Sequence, residues 1–281
     1  KTRVRNVEVH PVSNSTSSNA RIHQLLYVKS EPSPRIWSVS DRIVVWNPES
    51  RLLEKELFAP HTNIVRSMLY IESKQQVWTA DVNGLVCAWD ANTFALLHTI
   101  TAPELTNSPI FCMCLVDNQH VWLGSYSKMI VIDANQLNVV DTWDAHNGYR
   151  IMAMSVVGSQ VWTGSELRIC IWDKATRKAA LDSTGNKIER LVEFGVVSMI
   201  TVKRPNDLAH VWSGDSNGTV TVWNTDLTKP GLAIYQVLNN HKKDSIHAIL
   251  EIDEGGTICT GSYGNPMSKT KDNSICLWQY E

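Results

Sequence analysis

Histidines and hydroxyl side chains recur along this chain in a pattern that could support catalysis. His146 is followed by Thr163, and a histidine base beside a hydroxyl is the arrangement that activates a nucleophile. No Gly-x-Ser-x-Gly elbow is present to expose such a nucleophile. The alternative is structural, because a buried histidine can donate to a turn carboxylate or amide and accept from a hydroxyl. We favour the structural role and predict no catalytic residue and no enzymatic activity.

Metal and cofactor chemistry finds equally little support. The six cysteines lie in apolar, strand-like runs, at Cys87, Cys112, Cys114, Cys170, Cys259 and Cys276. Cys112 and Cys114 would point to one face of a strand, but no histidine or second cysteine pair accompanies them, so core packing is favoured over a metal site. No GxGxxG or GxxxxGK[ST] motif offers a phosphate cradle. We predict no metal, no cofactor and reduced thiols.

Basic residues form small groups that could attract an anionic ligand. They are Lys174, Arg177 and Lys178, then Lys242 and Lys243, then Lys269 and Lys271. A solvated rim is the simpler interpretation of these groups. The alternative is a phosphoinositide-binding or acidic-peptide-binding site.

The composition narrows the class of protein. The 281 residues carry a formal net charge of −2, so no bulk charge favours nucleic acid or an acidic membrane. The opening KTRVRNVEVH does not resemble a signal peptide, and no window approaches the ~18 apolar residues of a membrane helix. We therefore expect a cytoplasmic protein without nucleic-acid binding or membrane insertion. The 11 tryptophans against 4 phenylalanines suggest a repeat that reuses one large residue.

One phrase returns six times along the chain. Each copy begins with a β-branched residue, which in most copies is followed by a tryptophan. A pair of small residues and a short turn come next, and then an alternating run that ends in tryptophan and a polar residue. The copies begin near Trp37, Trp78, Trp122, Trp162, Trp212 and Cys259, at intervals of 41, 44, 40, 50 and 47 residues. This period suits four short strands with their turns. The long interval between Trp172 and Trp212 is where an irregularity is expected.

Each phrase is typical of a hairpin, flanked by an inner and an outer strand. Asn83-Gly84 and Asn217-Gly218 supply tight turns. Apolar runs such as 151–157 predict inner strands buried on both faces, and polar runs such as 136–143 predict half-exposed outer strands. The expected fold is all-β, a single β-propeller domain over 1–281 with six blades of four antiparallel strands, seven blades being the alternative. Residues 1–10, with a strand at 4–9, would complete the last blade and close the ring, since open edges are avoided.

These phrases resemble WD40 repeats, although the individual matches are degenerate. Trp89-Asp90 and Trp172-Asp173 match the ending typical of that family. The structural blade positions that the resemblance implies are His61, Thr79, Trp89, His146, Thr163, Trp172, Ser213, Trp223, His241, Thr260 and Trp278. At the turn position that carries an aspartate in the family stand Asn83, Glu166, Asn217 and Asp272. The resemblance implies a fold that serves protein binding and does not name the partner.

A second, weaker resemblance concerns the last repeat, whose hairpin is interrupted by residues 263–273. It is similar to the C-terminal propellers of Rho guanine-nucleotide exchange factors, JNK-interacting scaffolds and leucine-rich-repeat kinases. The resemblance implies cytoplasmic signalling and a chain that is one domain of a longer protein.

The function that these features favour is a non-catalytic platform for binding other proteins or peptides. A phosphoinositide-binding or acidic-peptide-binding propeller is the alternative, and a propeller hydrolase is less favoured. Loops on a rigid frame commonly carry function, and tyrosine and arginine contribute much of the energy at interfaces. We expect the binding residues on the loop face that joins outer to inner strands, at Arg66, Tyr126, Lys128, Tyr149, Arg150 and Arg168.

Overall fold

The computed structural model describes residues 22–57, 60–203, 209–227, 232–239, 241, 244–252, 256–263 and 274–279. These ranges contain 23 strands in six antiparallel sheets, and their only helical element is a 3-10 turn at Glu72–Lys74. Each sheet follows the chain from its first to its last strand, and we call each sheet a blade. The predicted all-β fold, a six-bladed β-propeller, is confirmed. No seventh sheet occurs within these ranges.

Blades 1 and 2 belong to one compact unit that ends at Ile100. Blade 1 consists of β1 (Gln24–Val28), β2 (Arg35–Val39), β3 (Ile43–Asn47) and β4 (Leu52–Leu57). Blade 2 consists of β5 (Val65–Ile71), β6 (Gln76–Asp81), β7 (Val86–Asp90) and β8 (Leu96–Ile100). The core of this unit packs Trp37 and Val45 of blade 1 against Met68 and Trp89 of blade 2.

Blades 3 to 6 belong to a second compact unit that starts at Thr101. Blade 3 consists of β9 (Cys112–Val116), β10 (His120–Gly124), β11 (Lys128–Asp133) and β12 (Asn138–Asp144). Blade 4 consists of β13 (Ile151–Val157), β14 (Gln160–Ser165), β15 (Arg168–Asp173) and β16 (Glu189–Leu191). Blade 5 consists of β17 (Val196–Val202), β18 (His210–Asp215), β19 (Val220–Asn224) and β20 (Ile234–Leu238). Blade 6 has β21 (Ser245–Glu251), β22 (Thr257–Tyr263) and β23 (Ile275–Gln279).

The strands form where the apolar pattern has a period of two, and burial falls from the middle of each sheet to its edge. In blade 3 the second and third strands, β10 and β11, are almost wholly buried, whereas the outer strand β12 alternates exposed and half-buried residues. Gly84 and Gly218 have φ angles of 87°, which is the conformation that the Asn-Gly turns were expected to need. The prediction that first strands are buried on both faces is wrong for β21. Leu250 is 61% exposed, because only the side bearing Ile246 and Ile249 packs in the core shared with blade 5.

The expected irregularity lies in the fourth strand of blade 4. Ala179 pairs with Trp172 of β15, and further along the polypeptide β16 pairs with β15 again. Between these two segments the chain makes a small hairpin, in which Leu181 pairs with Lys187 and Asp182 closes the turn. This inserted hairpin accounts for the long interval without adding a blade.

Small residues in the second strands allow neighbouring blades to approach. A Cβ placed on Gly164 would lie 2.5 Å from Val196 Cγ1, at the start of the next blade, and a Cβ on Gly214 would lie equally close to Ile246.

We predict that Gly164→Ala lowers the free energy of unfolding by about 1–3 kcal/mol through overpacking, measured by urea denaturation. Gly261→Ala is the matched control, because its Cβ would meet only Ala248 at 3.8 Å. Equal losses in the two variants would contradict the prediction.

The predicted closing strand at 4–9 lies outside the described residues, and it remains our proposal that residues 1–10 complete blade 6. Within the described ranges β23 pairs only with β22, and Ile275 and Leu277 on it are 73% and 61% exposed. Deleting residues 1–10 should therefore expose a strand edge, lower Tm and promote association. An unchanged Tm together with monomeric gel filtration would rule out this closure.

Candidate functional site

The histidine and hydroxyl pairs lie inside the blades, where they form hydrogen-bonded chains. In blade 2, His61 Nδ1 donates to Asp81 Oδ2 at 2.9 Å, and His61 Nε2 lies 2.7 Å from Thr79 Oγ1. The Trp89 indole N–H donates to the same hydroxyl at 2.8 Å. His61, Thr79, Asp81 and Trp89 are all buried. These hydrogen bonds therefore tie the turn before the blade to its second and third strands, and no face of the Thr79 hydroxyl is open to a substrate.

Asp81 holds the histidine of blade 2, whereas the sequence pattern placed Asn83 at the turn position. Asn83 instead accepts a hydrogen bond from Asn63. Burial would raise the pKa of Asp81, but hydrogen bonds from His61 and from the backbone N–H groups of Asn83 and Leu85 outweigh it and leave the pKa lowered. The sequence did contain the signal, since a carboxylate two residues after Thr79 can reach back over a tight turn.

Blade 4 forms the same series of hydrogen bonds without a carboxylate. His146 Nε2 lies 2.8 Å from Thr163 Oγ1, which also accepts from the Trp172 indole at 2.9 Å. Glu166, expected at the turn position, pairs with Arg150 instead. Burial, helped by the positive charge of Arg168, lowers the pKa of His146 to about 3. This histidine is therefore neutral at physiological pH.

Blades 5 and 6 carry variants of this hydrogen-bonded set. In blade 6, His241 contacts Thr260 and Ser274, and the Trp278 indole donates to Thr260 at 2.8 Å; Asp272, predicted at this turn, lies outside the described residues. In blade 5 the Trp223 indole N–H donates a hydrogen bond to the Ser213 hydroxyl at 2.7 Å.

Blades 1 and 3 depart from the predicted set. In blade 1 the bond from Trp46 to Ser38, at 3.0 Å, was not predicted. Blade 3 places the apolar residues Leu123 and Ile132 at these positions. There Trp143 of the outer strand packs edge-on against Trp122 at 5.2 Å.

Other chemistry is sparse in the described part of the chain. These ranges hold no group of three or more histidine, cysteine or acidic side chains able to bind a metal, and no helix within them is long and apolar enough to span a membrane. The six cysteines are all unpaired in the structure. Burial raises the pKa of Cys87, Cys114 and Cys170 to about 12, so these thiols are poor nucleophiles.

The loop end of blades 3 and 4 presents an exposed aromatic cluster on a rigid base. The turn at 125–128 is tied to the connection at 145–151 by four backbone hydrogen bonds. They run from Ser127 N to Tyr149 O at 2.9 Å, from Ala145 N and His146 N to Ser127 O at 2.6 Å and 3.3 Å, and from Ile151 N to Ser125 O at 3.0 Å. The predicted turns of the two blades are therefore neighbours at one end of the sheets.

Two of the predicted binding residues meet on this base. Tyr126 is 52% exposed and packs edge-on against Phe111, with 5.3 Å between the ring centroids. The Arg150 guanidinium lies 6.0 Å from the centre of the same ring and pairs with Glu166. We call Phe111, Tyr126, Arg150 and Glu166 the aromatic cluster. Phe111 was missed because it directly precedes a buried strand and looked like part of it.

The other predicted binding residues are dispersed. Lys128 starts β11 next to Tyr126, and the backbone of Tyr149 holds the turn. Arg168 is mostly buried and pairs with Glu189 at 3.4 Å. Arg66 lies in β5 of the other unit.

The fold defines this chain as a six-bladed β-propeller, and comparisons with known proteins agree at the level of the fold. A chain of the crystal structure of the mitotic checkpoint complex superposes with a TM-score of 0.73 at 14% identity, covering 95% of this chain and 80% of that one. The computationally designed Ika8 protein gives a TM-score of 0.61 at 17% identity, over 92% of this chain and 71% of its own. No family model matches the sequence.

Sequence relatives match only a part of the chain. JNK-interacting protein 3 of Drosophila melanogaster is 30% identical over 81 residues, which is 28% of this chain and 6% of that protein. The protein of the same name from Drosophila pseudoobscura pseudoobscura matches to the same extent. The matched segment thus spans a small fraction of the length of these relatives.

Proposed function

We propose that the chain is a non-catalytic platform that binds other proteins through the loop end bearing the aromatic cluster. The exposed pairing of Tyr126 with Phe111 and Arg150 on a hydrogen-bonded base is the observation that carries this proposal. Aromatic and arginine side chains that are held in place lose little entropy on binding, and they supply both apolar area and directed hydrogen bonds. β-Propellers typically serve as protein-interaction scaffolds, and the partial match to JNK-interacting protein 3 fits a role in cytoplasmic signalling as one domain of a longer protein.

The catalytic alternative has less support. The histidine and threonine pairs are buried and fully engaged within the blades. A propeller hydrolase would need convergent carboxylates or histidines that a substrate can reach, and the carboxylates described at the loop end of blades 3 and 4 are already engaged, Glu166 by Arg150 and Asp144 by the Ser127 hydroxyl.

The proposal predicts that Tyr126→Ala combined with Arg150→Ala weakens partner capture at least about tenfold, as expected for interface hot spots, with Tm nearly unchanged. Proteins that the wild type captures would be identified by mass spectrometry. The amount of each that the wild type and the variant capture would then be compared. Gln136→Ala with Asn138→Ala is the matched control, because both residues are exposed at the other end of blade 3. If the control loses the partner and the cluster variant retains it, the wrong end of the sheets has been chosen.

A further inference from the structure

A cleft of about 410 Å³ is lined by residues of blades 3 and 4 and reaches the connection at 145–151, but no residue of the aromatic cluster lines it. Trp143 and Asp144 of blade 3 line it, together with Cys170 and Trp172 of β15. Its charged side chains are Asp144, Arg168, Arg177, Lys178, Lys187 and Glu189. We call it the side cleft. The inserted hairpin of blade 4 brings Lys187 and Glu189 to it, so the irregular outer strand creates this feature.

The side cleft carries an excess of positive charge. Four cations and two carboxylates line it, which leaves a net charge of +2. Arg168 pairs with Glu189 at 3.4 Å, and Arg177 pairs at 3.5 Å with Asp141, just outside the cleft. No carboxylate in the described ranges lies within ion-pair distance of Lys178 or Lys187, both of which are exposed. The cleft therefore attracts an anion.

Two buried N–H donors at this cleft have no acceptor among the described residues. They are the Trp143 Nε1 and the Arg168 Nε. A buried donor without an acceptor is costly and uncommon in folded proteins. Because Arg168 uses Nη1 for Glu189, its Nε edge remains for a second anion, and that edge suits side-on binding of a carboxylate or phosphate.

The surroundings of the cleft favour a peptide over a membrane surface. Side chains alternate along a strand, so Leu191 projects to the same side as Glu189, and it is 72% exposed. Leu181, opposite Lys187 in the inserted hairpin, is 58% exposed. The side chain of Arg168 is recessed and 16% exposed, whereas the side chain of Glu189 is 44% exposed. A flat anionic surface would meet Glu189 before it reached Arg168, whereas a single side chain can enter.

We propose that the side cleft binds the carboxylate or phosphate side chain of an acidic peptide segment, with a neighbouring apolar residue of that segment against Leu191 and Leu181. The site goes beyond the platform function proposed above, since no residue of the aromatic cluster lines it. Trp143 and Arg168 are the donors that recognise the anion, and Lys178 and Lys187 draw it in.

The test uses fluorescent hexapeptides that alternate leucine with glutamate, with phosphoserine or with glutamine, titrated into the full chain and followed by fluorescence anisotropy. The glutamate and phosphoserine peptides should bind and the glutamine peptide should bind at least about fivefold more weakly, as expected for loss of a charge-assisted hydrogen bond. Lys178→Gln with Lys187→Gln, and separately Trp143→Phe, should each weaken the acidic peptides by about fivefold. Added salt should weaken the acidic peptides as well.

Matched variants separate this site from general charge effects and from the loop end. Lys55→Gln with Lys203→Gln removes two exposed cations that do not line the cleft, and it should leave the affinity unchanged. Tyr126→Ala with Arg150→Ala should also leave it unchanged, so that failure of either site can be told from failure of the other. Equal binding of all three peptides, or no effect of the cleft variants, would overturn the proposal. Binding to phosphoinositide vesicles or to inorganic phosphate alone, without the peptides, would overturn it in favour of a headgroup or a free anion.

Discussion

Replacing Trp172 with alanine should lower the free energy of unfolding by about 3–5 kcal/mol, the cost of emptying a large buried site. The side chain is 7% exposed and packs in the core shared by blades 3 and 4, with the Trp143 ring 5.6 Å away. Its indole N–H donates a hydrogen bond to the Thr163 hydroxyl at 2.9 Å. The variant therefore also removes a hydrogen bond from the hydroxyl that orients His146. Urea denaturation followed by far-UV circular dichroism would measure the change.

Two further variants divide this effect into its parts. Trp172→Phe keeps a buried aromatic ring but loses the indole hydrogen bond and some buried volume, so it should cost about 1–3 kcal/mol. Tyr27→Ala truncates an aromatic residue that is 57% exposed and should cost within about 0.5 kcal/mol, like other surface changes. A loss for Trp172→Ala as small as that for Tyr27→Ala would mean that Trp172 does not hold the two blades together.

The sequence was sufficient to predict the repeated hairpins because each uses a strong local pattern. The alternation in Val220-Thr221-Val222-Trp223 and the Asn217-Gly218 turn need no long-range information to define β19 and its turn. The irregular outer strand of blade 4 could be located only as an interval of unusual length. Its two pairing segments depend on tertiary contacts with β15, which no local pattern encodes.

Polar partners inside the blades were predicted less well, because several side chains can satisfy the same buried group. Asn83 occupied the expected turn position, yet Asp81 reaches His61 and also accepts from two backbone N–H groups. In the same way, Glu166 was assigned to a histidine and instead pairs with an exposed arginine, Arg150. The side cleft was beyond prediction, since its walls come from strands whose side-by-side placement only the structure gives.

Acidification should destabilise the protein through His146 at mildly acidic pH. The folded state holds its pKa at about 3, against an ordinary value of 6.5, because the imidazole is buried and Arg168 lies nearby. Between these two values the unfolded chain binds a proton that the folded protein does not bind. The stability from this group is therefore complete above about pH 6.5 and falls, as the pH drops toward 3, by about 1.4 kcal/mol per pH unit. Urea denaturation at a series of pH values would measure the slope.

His146→Asn isolates this contribution. Asparagine can still donate to Thr163 but does not titrate, so the variant should be less stable near neutral pH and should show a shallower slope between about pH 6.5 and about pH 5. The lowered pKa of Asp81, Asp90 and Asp133 affects both proteins alike and acts at lower pH. His98→Asn changes an exposed histidine and should keep the wild-type slope. Parallel profiles for the wild type and His146→Asn would mean that His146 is protonated inside the folded blade, and that the neutral chain from His146 through Thr163 to Trp172 is wrong.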